Sequence, residues 1–558
     1  MKNTKYLYIL LITVLLVGSC KQEPIVPEAP VVIVPDPPSG APGTADFAKF
    51  VTVGNSFVAG MQGNALFDDG QKSSLASIVA TQIGFAGGSK TFNQPDINSV
   101  NGFNPISSNL GIGLILGRLV LFDPDGTTGT RTAAPFPSKF PGSSVTCPTA
   151  VTTPALPAPY NTSDFPSAFT GNKATLNNFG VPLIYLGQTL TPATGGPASP
   201  ANPAYSPFYA RFASSPSPDG ATGSRIITDA KAAAGSFYLI WLGFDDVLLY
   251  AATGAANTAP GVPAGTYPMT ASASFTGQLG VAMNDLNIGL LTGTTFKGVI
   301  GNIPNFTDLP YFYTVRWNAI TLDAATATTL TGSLATNYNL FLDAMVTNLI
   351  ITSEERAKRK LTFIAGKNGV LLSDDVGFST GGLTDLSPYM AGPYAGLLPY
   401  KLARQATSTD LIPLAAGAVL GTCFGGSPSA VFGVSYPVSD QYVLTPAETT
   451  DILTRTAAFN SSIAGIVSAN STRLGLADVN KAYSDFVIAK AALINGVTIT
   501  PSFAPPTGAF SVDGLHPNSR GNAFTANIFI DAINAKFGAT VPKADLSKYS
   551  GTALPINP

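Results

Sequence analysis

Short apolar runs that give way to glycine recur along the chain: Phe50 to Val53, Phe237 to Leu242, Val299 to Ile300 and Leu361 to Ala365. Each suits a strand buried on both faces, and each is followed by a polar loop. Helical patterns lie between or after them. Thr445 to Val467 is one, with Thr445 as N-cap, Pro446 at the first helical position and Glu448 completing a capping box. Gly521 to Phe537 is another, pairing Phe524 with Ile528 and Phe529 with Ile533 and Phe537 at i,i+4 spacing before Gly538 stops the helix. Strands alternating with helices predict an α/β fold around a mostly parallel sheet. Active groups in such a sheet gather in the loops at the carboxyl ends of the strands.

Composition changes this picture in two ways. Only 11% of the 558 residues are charged while 45% are hydrophobic, so a substantial core is available. The 56 glycines and 45 prolines concentrate between the apolar runs, and the segments at about 100–170, 185–230, 250–290 and 385–440 read as insertions within one enlarged domain spanning 46–558. A formal charge of -2 without a basic run gives no footprint for a polyanion, which argues against a nucleic-acid partner.

The amino terminus is a targeting segment. Lys2 and Lys5 precede an apolar run from Tyr6 to Val17 that is short for a membrane span. The run ends in Val17-Gly18-Ser19-Cys20, which resembles the lipobox of bacterial lipoproteins. That resemblance implies a signal peptide over 1–19, a lipidated Cys20, and an exported protein held to a membrane by acyl chains. Residues 20–45 then read as a Pro-rich tether. Lys21-Gln22-Glu23 loosely resembles the charged export signals of some Bacteroidetes-type lipoproteins, and the periplasmic and surface faces of an outer membrane both stay open. The remaining cysteines, Cys147 and Cys423, either form one disulfide or stay as separate thiols, and neither has zinc-ligand spacing around it.

Four loops carry candidate chemistry. Gly54-Asn55-Ser56-Phe57 follows the first strand and presents a serine hydroxyl where following backbone N–H groups can face an oxyanion. Asp513-Gly514-Leu515-His516-Pro517 precedes the last helix and holds the only histidine of the chain. A tight loop there lets Asp513 fix the His516 tautomer through Nδ1, leaving Nε2 to take a serine proton. Asn178-Phe179-Gly180-Val181-Pro182 and Gly243-Phe244-Asp245-Asp246 are turns that individually carry little information.

In this order the four loops resemble the four sequence blocks of the SGNH hydrolases, also called GDSL-type esterases. The likeness extends over Val51 to Gln94 and Leu444 to Pro558, where the chain resembles a large Bacteroidetes-type lipoprotein branch of that family. It implies a three-layer α/β/α sandwich of flavodoxin-like arrangement with Ser56 as nucleophile, His516 as base and Asp513 as the orienting acid. It also implies an oxyanion hole from the N–H groups of Ser56 and Gly180 and a side chain at position 245. The expected activity is acyl-enzyme hydrolysis of an ester, whether a small molecule, a lipid or an acylated glycan, with no cofactor and no metal.

Two positions depart from the family pattern. Asn55 stands where the first block has aspartate, and Asp245 stands where the third block has the asparagine that donates to the oxyanion. An ionised Asp245 would repel that charge. Protonation of Asp245, substitution by Asn302 or Asn305, and loss of catalysis are the three outcomes; the last would leave a surface binding protein on a hydrolase scaffold.

Overall fold

A computed structural model describes residues 39–100, 102, 117–122, 134–137, 167–199, 201–255, 267–286, 296–374 and 382–554. The segment expected to be a signal peptide, Cys20, Cys147 and most of the 100–170 insertion lie outside the described residues.

Five parallel strands form the central sheet: β1 (Phe50–Gly54), β2 (Asn178–Gly180), β3 (Phe237–Trp241), β4 (Lys297–Gly301) and β5 (Leu474–Ala477). Their order is β5-β4-β3-β1-β2, so the chain leaves β1 first toward one edge and then toward the other. Register brings Gly54 level with Gly180 on one side and Trp241 on the other, which aligns the carboxyl ends of three strands at the point where the winding reverses. Ligands of open α/β sheets bind at such a point.

Helices flank the sheet. They include α1 (Ser56–Ala59), α2 (Leu75–Gly84), α3 (Asp245–Ala252), α4 (Ser272–Asp285), α5 (Pro446–Ala469), α6 (Val479–Ala489) and α7 (Ser519–Phe537). On one face α7 packs beside α2 and sets Phe529 and Phe537 against Trp241 and Phe237 of β3. On the other, Phe275 of α4 stacks on Phe459 of α5 with ring centroids 3.8 Å apart. The capping box expected at Thr445 is formed, with the Glu448 carboxylate accepting from the Thr445 N–H and the Thr445 hydroxyl accepting from the Glu448 N–H.

Three expectations need correction. Leu361–Ala365 is not a strand. Its backbone groups are matched by side-chain amides instead of a neighbouring strand: Asn339 holds Leu361, Gln405 holds Thr362 and Asn368 holds Ile364, each by donating to the carbonyl and accepting from the N–H. The 250–290 segment is not only insertion, because it contains α4, a core helix. The tether ends before residue 45, since the backbone of residues 40–44 is hydrogen-bonded to Phe85, Phe537 and Thr540.

Among the described residues from 39 onward, which cluster as one unit, there are two hydrophobic cores. The larger surrounds the sheet. The second lies wholly between Val315 and Val443 and is built from such side chains as Tyr338, Phe341, Leu371, Leu372, Ile412 and Val438. The insertion after β4 is therefore longer than its Pro- and Gly-rich 385–440 portion suggests. It touches the loop that precedes α7 through Tyr311, whose N–H donates to the Gly514 carbonyl at 2.9 Å.

Candidate active site

Ser56 is the first residue of α1, directly after the turn from β1. Asn55 caps this turn, its Oδ1 accepting from the Phe57 N–H at 3.1 Å, so the amide side chain supplies the acceptor that an aspartate would supply here. Its Nδ2 is buried without a hydrogen-bond partner. The neighbouring Phe57 ring packs on Trp241, Phe244 and the His516 imidazole, with centroids 5.0, 5.4 and 5.2 Å away. One aromatic side chain thus joins the serine turn, the end of β3 and the histidine loop.

The 511–516 loop is built around the Asp513 carboxylate. Oδ1 accepts from the Ser511 hydroxyl and from the N–H groups of Leu515 and His516 at 2.8–2.9 Å. Oδ2 accepts from the Asn64 N–H at 2.7 Å and meets His516 Nδ1 at 2.8 Å. Burial opposes ionisation of Asp513, but the His516 imidazole and these hydrogen bonds outweigh it and hold the carboxyl below its ordinary range. An ionised acceptor at Nδ1 places the imidazole proton there and leaves Nε2 as the basic nitrogen. His516 Nε2 is buried and has no hydrogen-bond partner, so the contact with the Ser56 hydroxyl is not closed in this arrangement. In unliganded hydrolases that contact commonly tightens only around substrate.

Gly514 makes the loop possible. Its φ is +70°, and a Cβ there would lie 2.9 Å from the Tyr311 nitrogen. Tyr311 also donates its hydroxyl to the Ala252 carbonyl at 3.0 Å, tying the histidine loop to the far end of α3.

The oxyanion side departs from the expected arrangement. The Gly180 N–H is already held by the Asn178 side chain at 2.9 Å, an Asx turn within the same block, so it is not the donor. Position 180 requires glycine for a different reason: a Cβ would stand 2.5 Å from the Ala59 nitrogen of α1. The amide that reaches Ser56 is three residues on, where the Leu183 N–H donates to Ser56 Oγ at 2.8 Å. Leu183 adopts φ +57°, a left-handed conformation unusual for a leucine and the kind of local strain found where a site dictates backbone direction.

Asp245 is fully buried at the first position of α3. Its Oδ2 accepts from the Ile184 N–H at 3.0 Å, while Oδ1 has no hydrogen-bond partner. The Ser56 hydroxyl and backbone N–H face this carboxyl without closing a hydrogen bond to it. Burial pushes Asp245 up to about 7, against the opposing pull of His516, the Ile184 N–H and the Ser56 hydroxyl and N–H. Asp246 is also pushed up to about 7 by burial, although its carboxylate is fully engaged by the Thr270 hydroxyl and the Leu186 N–H.

Asn302 and Asn305 are not substitutes for the missing asparagine. Asn302 bonds Asp478 and the Asn480 N–H, and Asn305 bonds Ser484 and Asn480, so both fasten the end of β4 to the start of α6. Cys423 is disulfide-bonded, and Cys147, the partner considered for it, lies outside the described residues. Among the described residues no group of three or more His, Cys, Asp or Glu side chains is placed to hold a metal ion, and no helix is long and apolar enough to cross a membrane. Comparison with known proteins finds no matching family model, no matching curated protein and no matching solved structure.

Proposed function

We propose that this chain is a serine ester hydrolase of SGNH type, acting through an acyl-enzyme. One observation carries the reading: a buried His516 whose Nδ1 is fixed by an ionised Asp513 and whose Nε2 is free, set against the turn that presents Ser56. Ser56 Oγ attacks the ester carbonyl carbon and passes its proton to Nε2. The carbonyl oxygen becomes an oxyanion that takes the Leu183 N–H released by Oγ. Collapse breaks the bond to the alcohol oxygen, which leaves with the proton from Nε2. Water then attacks the acyl carbon by the same route, giving the acid and restoring Ser56.

A fluorophosphonate probe tests this directly. Wild-type protein is expected to be labelled on Ser56, and Ser56→Ala and His516→Ala are expected not to be. Folded wild-type protein that stays unlabelled across pH 5–9 would sink the proposal. That outcome is the one favoured by a second reading, a binding protein on a hydrolase scaffold, and the specific observation behind it is the Asp245 carboxyl beside the nucleophile.

The ester is a small molecule, a lipid or an acylated glycan. We place the protein on a membrane through a lipid on Cys20, in the manner of an exported lipoprotein. Mass spectrometry of the mature amino terminus checks this: an acylated cysteine supports it, and an unmodified Cys20 or an intact 1–19 segment overturns it.

A further inference from the structure

We infer that Asp245 works as a neutral carboxylic acid, its Oδ1–H completing the oxyanion hole, so that hydrolysis switches off as the medium turns alkaline. The inference rests on the serine hydrolase reading and concerns the control of that site.

The geometry carries it. Of the two carboxyl oxygens, Oδ2 is committed to the Ile184 N–H and must remain an acceptor. Oδ1 is buried, accepts nothing, and belongs to the carboxyl that the Ser56 hydroxyl and N–H face. A proton therefore has one place to sit, on Oδ1, where it can be donated toward the oxygen bound at Ser56. Deprotonated, the same atom would be an unsolvated negative charge beside a developing oxyanion. The other side chains able to fill this role, Asn302 and Asn305, are engaged elsewhere.

The titratable groups facing Asp245 are consistent with a neutral acid. Asp246 on the same helix adds no positive charge. Tyr185, from the loop after β2, has its own ionisation pushed upward by burial and by both aspartates, and stays neutral. His516 favours ionisation of Asp245 when it is charged, yet as the base it must be neutral in the resting enzyme. Burial then dominates, placing the transition at about 7.

Catalysis thus needs one proton on Asp245 and none on His516 Nε2. The proton on Oδ1 is donated as a hydrogen bond and not transferred, so Asp245 ends each turnover as it began. The consequence is a rate profile whose alkaline limb belongs to Asp245.

The test compares full-length wild type with Asp245→Asn, using 4-nitrophenyl acetate hydrolysis and fluorophosphonate labelling across pH 5–9. Asparagine keeps an acceptor for Ile184 and puts an amide N–H where Oδ1–H stands. Wild-type kcat/KM is expected to fall about tenfold per pH unit above the transition, while Asp245→Asn holds a plateau. At pH 9 the variant should lead by about 100-fold. Labelling with a constant ratio between the two proteins at every pH would overturn the inference alone. No labelling of either protein would overturn the hydrolase reading, and the inference with it. Infrared difference spectra give a readout besides activity: a carboxylic-acid carbonyl band present at pH 6, reduced at pH 9 and missing from Asp245→Asn supports the inference, and identical spectra for the two proteins overturn it.

Discussion

Asp513 and Asp245 are both buried carboxyl groups at the candidate site, only 4% and 0% exposed, yet their environments push them in opposite directions. Asp513 accepts from five donors, three backbone N–H groups, one hydroxyl and the imidazole. Asp245 accepts from one, and one of its oxygens has none. Burial penalises ionisation at both, so the donors decide. The loop around Asp513 is built for a charge, and the pocket around Asp245 is built for a neutral group.

The most damaging way to probe this difference is Asp513→Asn. The amide would turn hydrogens toward donors that now point at a carboxylate, and it would no longer fix the tautomer of His516. By analogy with the aspartate-to-asparagine change in serine protease triads, kcat should fall about 10⁴-fold. Steady-state hydrolysis of a nitrophenyl ester checks it; a loss below about tenfold would mean that Asp513 does not orient the base.

Next in size is the effect of pH on stability, where the two carboxyls have opposite signs. Asp513, with its folded pKa depressed, stabilises the fold above the ordinary carboxyl pKa, and that contribution is lost as pH falls through the folded value. Asp245, with its folded pKa raised, costs nothing below the ordinary value; the cost grows as pH rises and is complete above about 7. Relative to Asp245→Asn, wild type should therefore lose up to about 1.4 kcal/mol per pH unit across that window. Urea denaturation of both proteins at pH 4, 6 and 8 measures it, and a stability difference that does not change with pH would contradict the assigned environment.

A smaller change asks whether the Asp513 loop owes its geometry to the long insertion. Gly514 has φ +70° and faces the Tyr311 nitrogen, so Gly514→Ala combines a left-handed alanine with a backbone clash. About 1–3 kcal/mol of destabilisation is expected, together with reduced turnover as the loop shifts. Chemical denaturation and kcat read the two effects; unchanged values of both would show that Tyr311 does not brace the loop.

These environments were unequally legible in the sequence. Phe237–Trp241 is a continuous apolar run and announced itself as a buried strand, as did Phe50–Val53. β2 is only Asn-Phe-Gly, and β5 is Leu-Gly-Leu-Ala, too short for periodicity to distinguish strand from turn. Leu361–Ala365 has a strand's composition, but side-chain amides bond its backbone, and two of them, Asn339 and Gln405, are distant in sequence, which no local pattern records. Within the site, the contact between Asp513 and His516 spans three residues and could be read from spacing. The proposed oxyanion donor could not, because the amide that reaches Ser56 belongs to Leu183 and its direction depends on how the chain leaves β2. A signal was present in Asn178: an asparagine two residues before Gly180 is placed to occupy that glycine's N–H by an Asx turn.

Leu183 supplies the finest test, because its function lies in its backbone and not in its side chain. The N–H reaches Ser56 Oγ only with φ at +57°, where a β-carbon is unfavourable. Leu183→Gly keeps the N–H and removes the Cβ, so the same geometry should become easier to hold. The half-buried side chain gives up some apolar contact in exchange, and glycine adds freedom to the unfolded chain. The net change in stability should be within about 1 kcal/mol, with turnover retained within about threefold. Thermal melting and kcat/KM measured together decide it: a variant that folds as well as wild type but loses 100-fold or more in rate would show that the leucine side chain itself touches the substrate, and the oxyanion site would then extend beyond the amide.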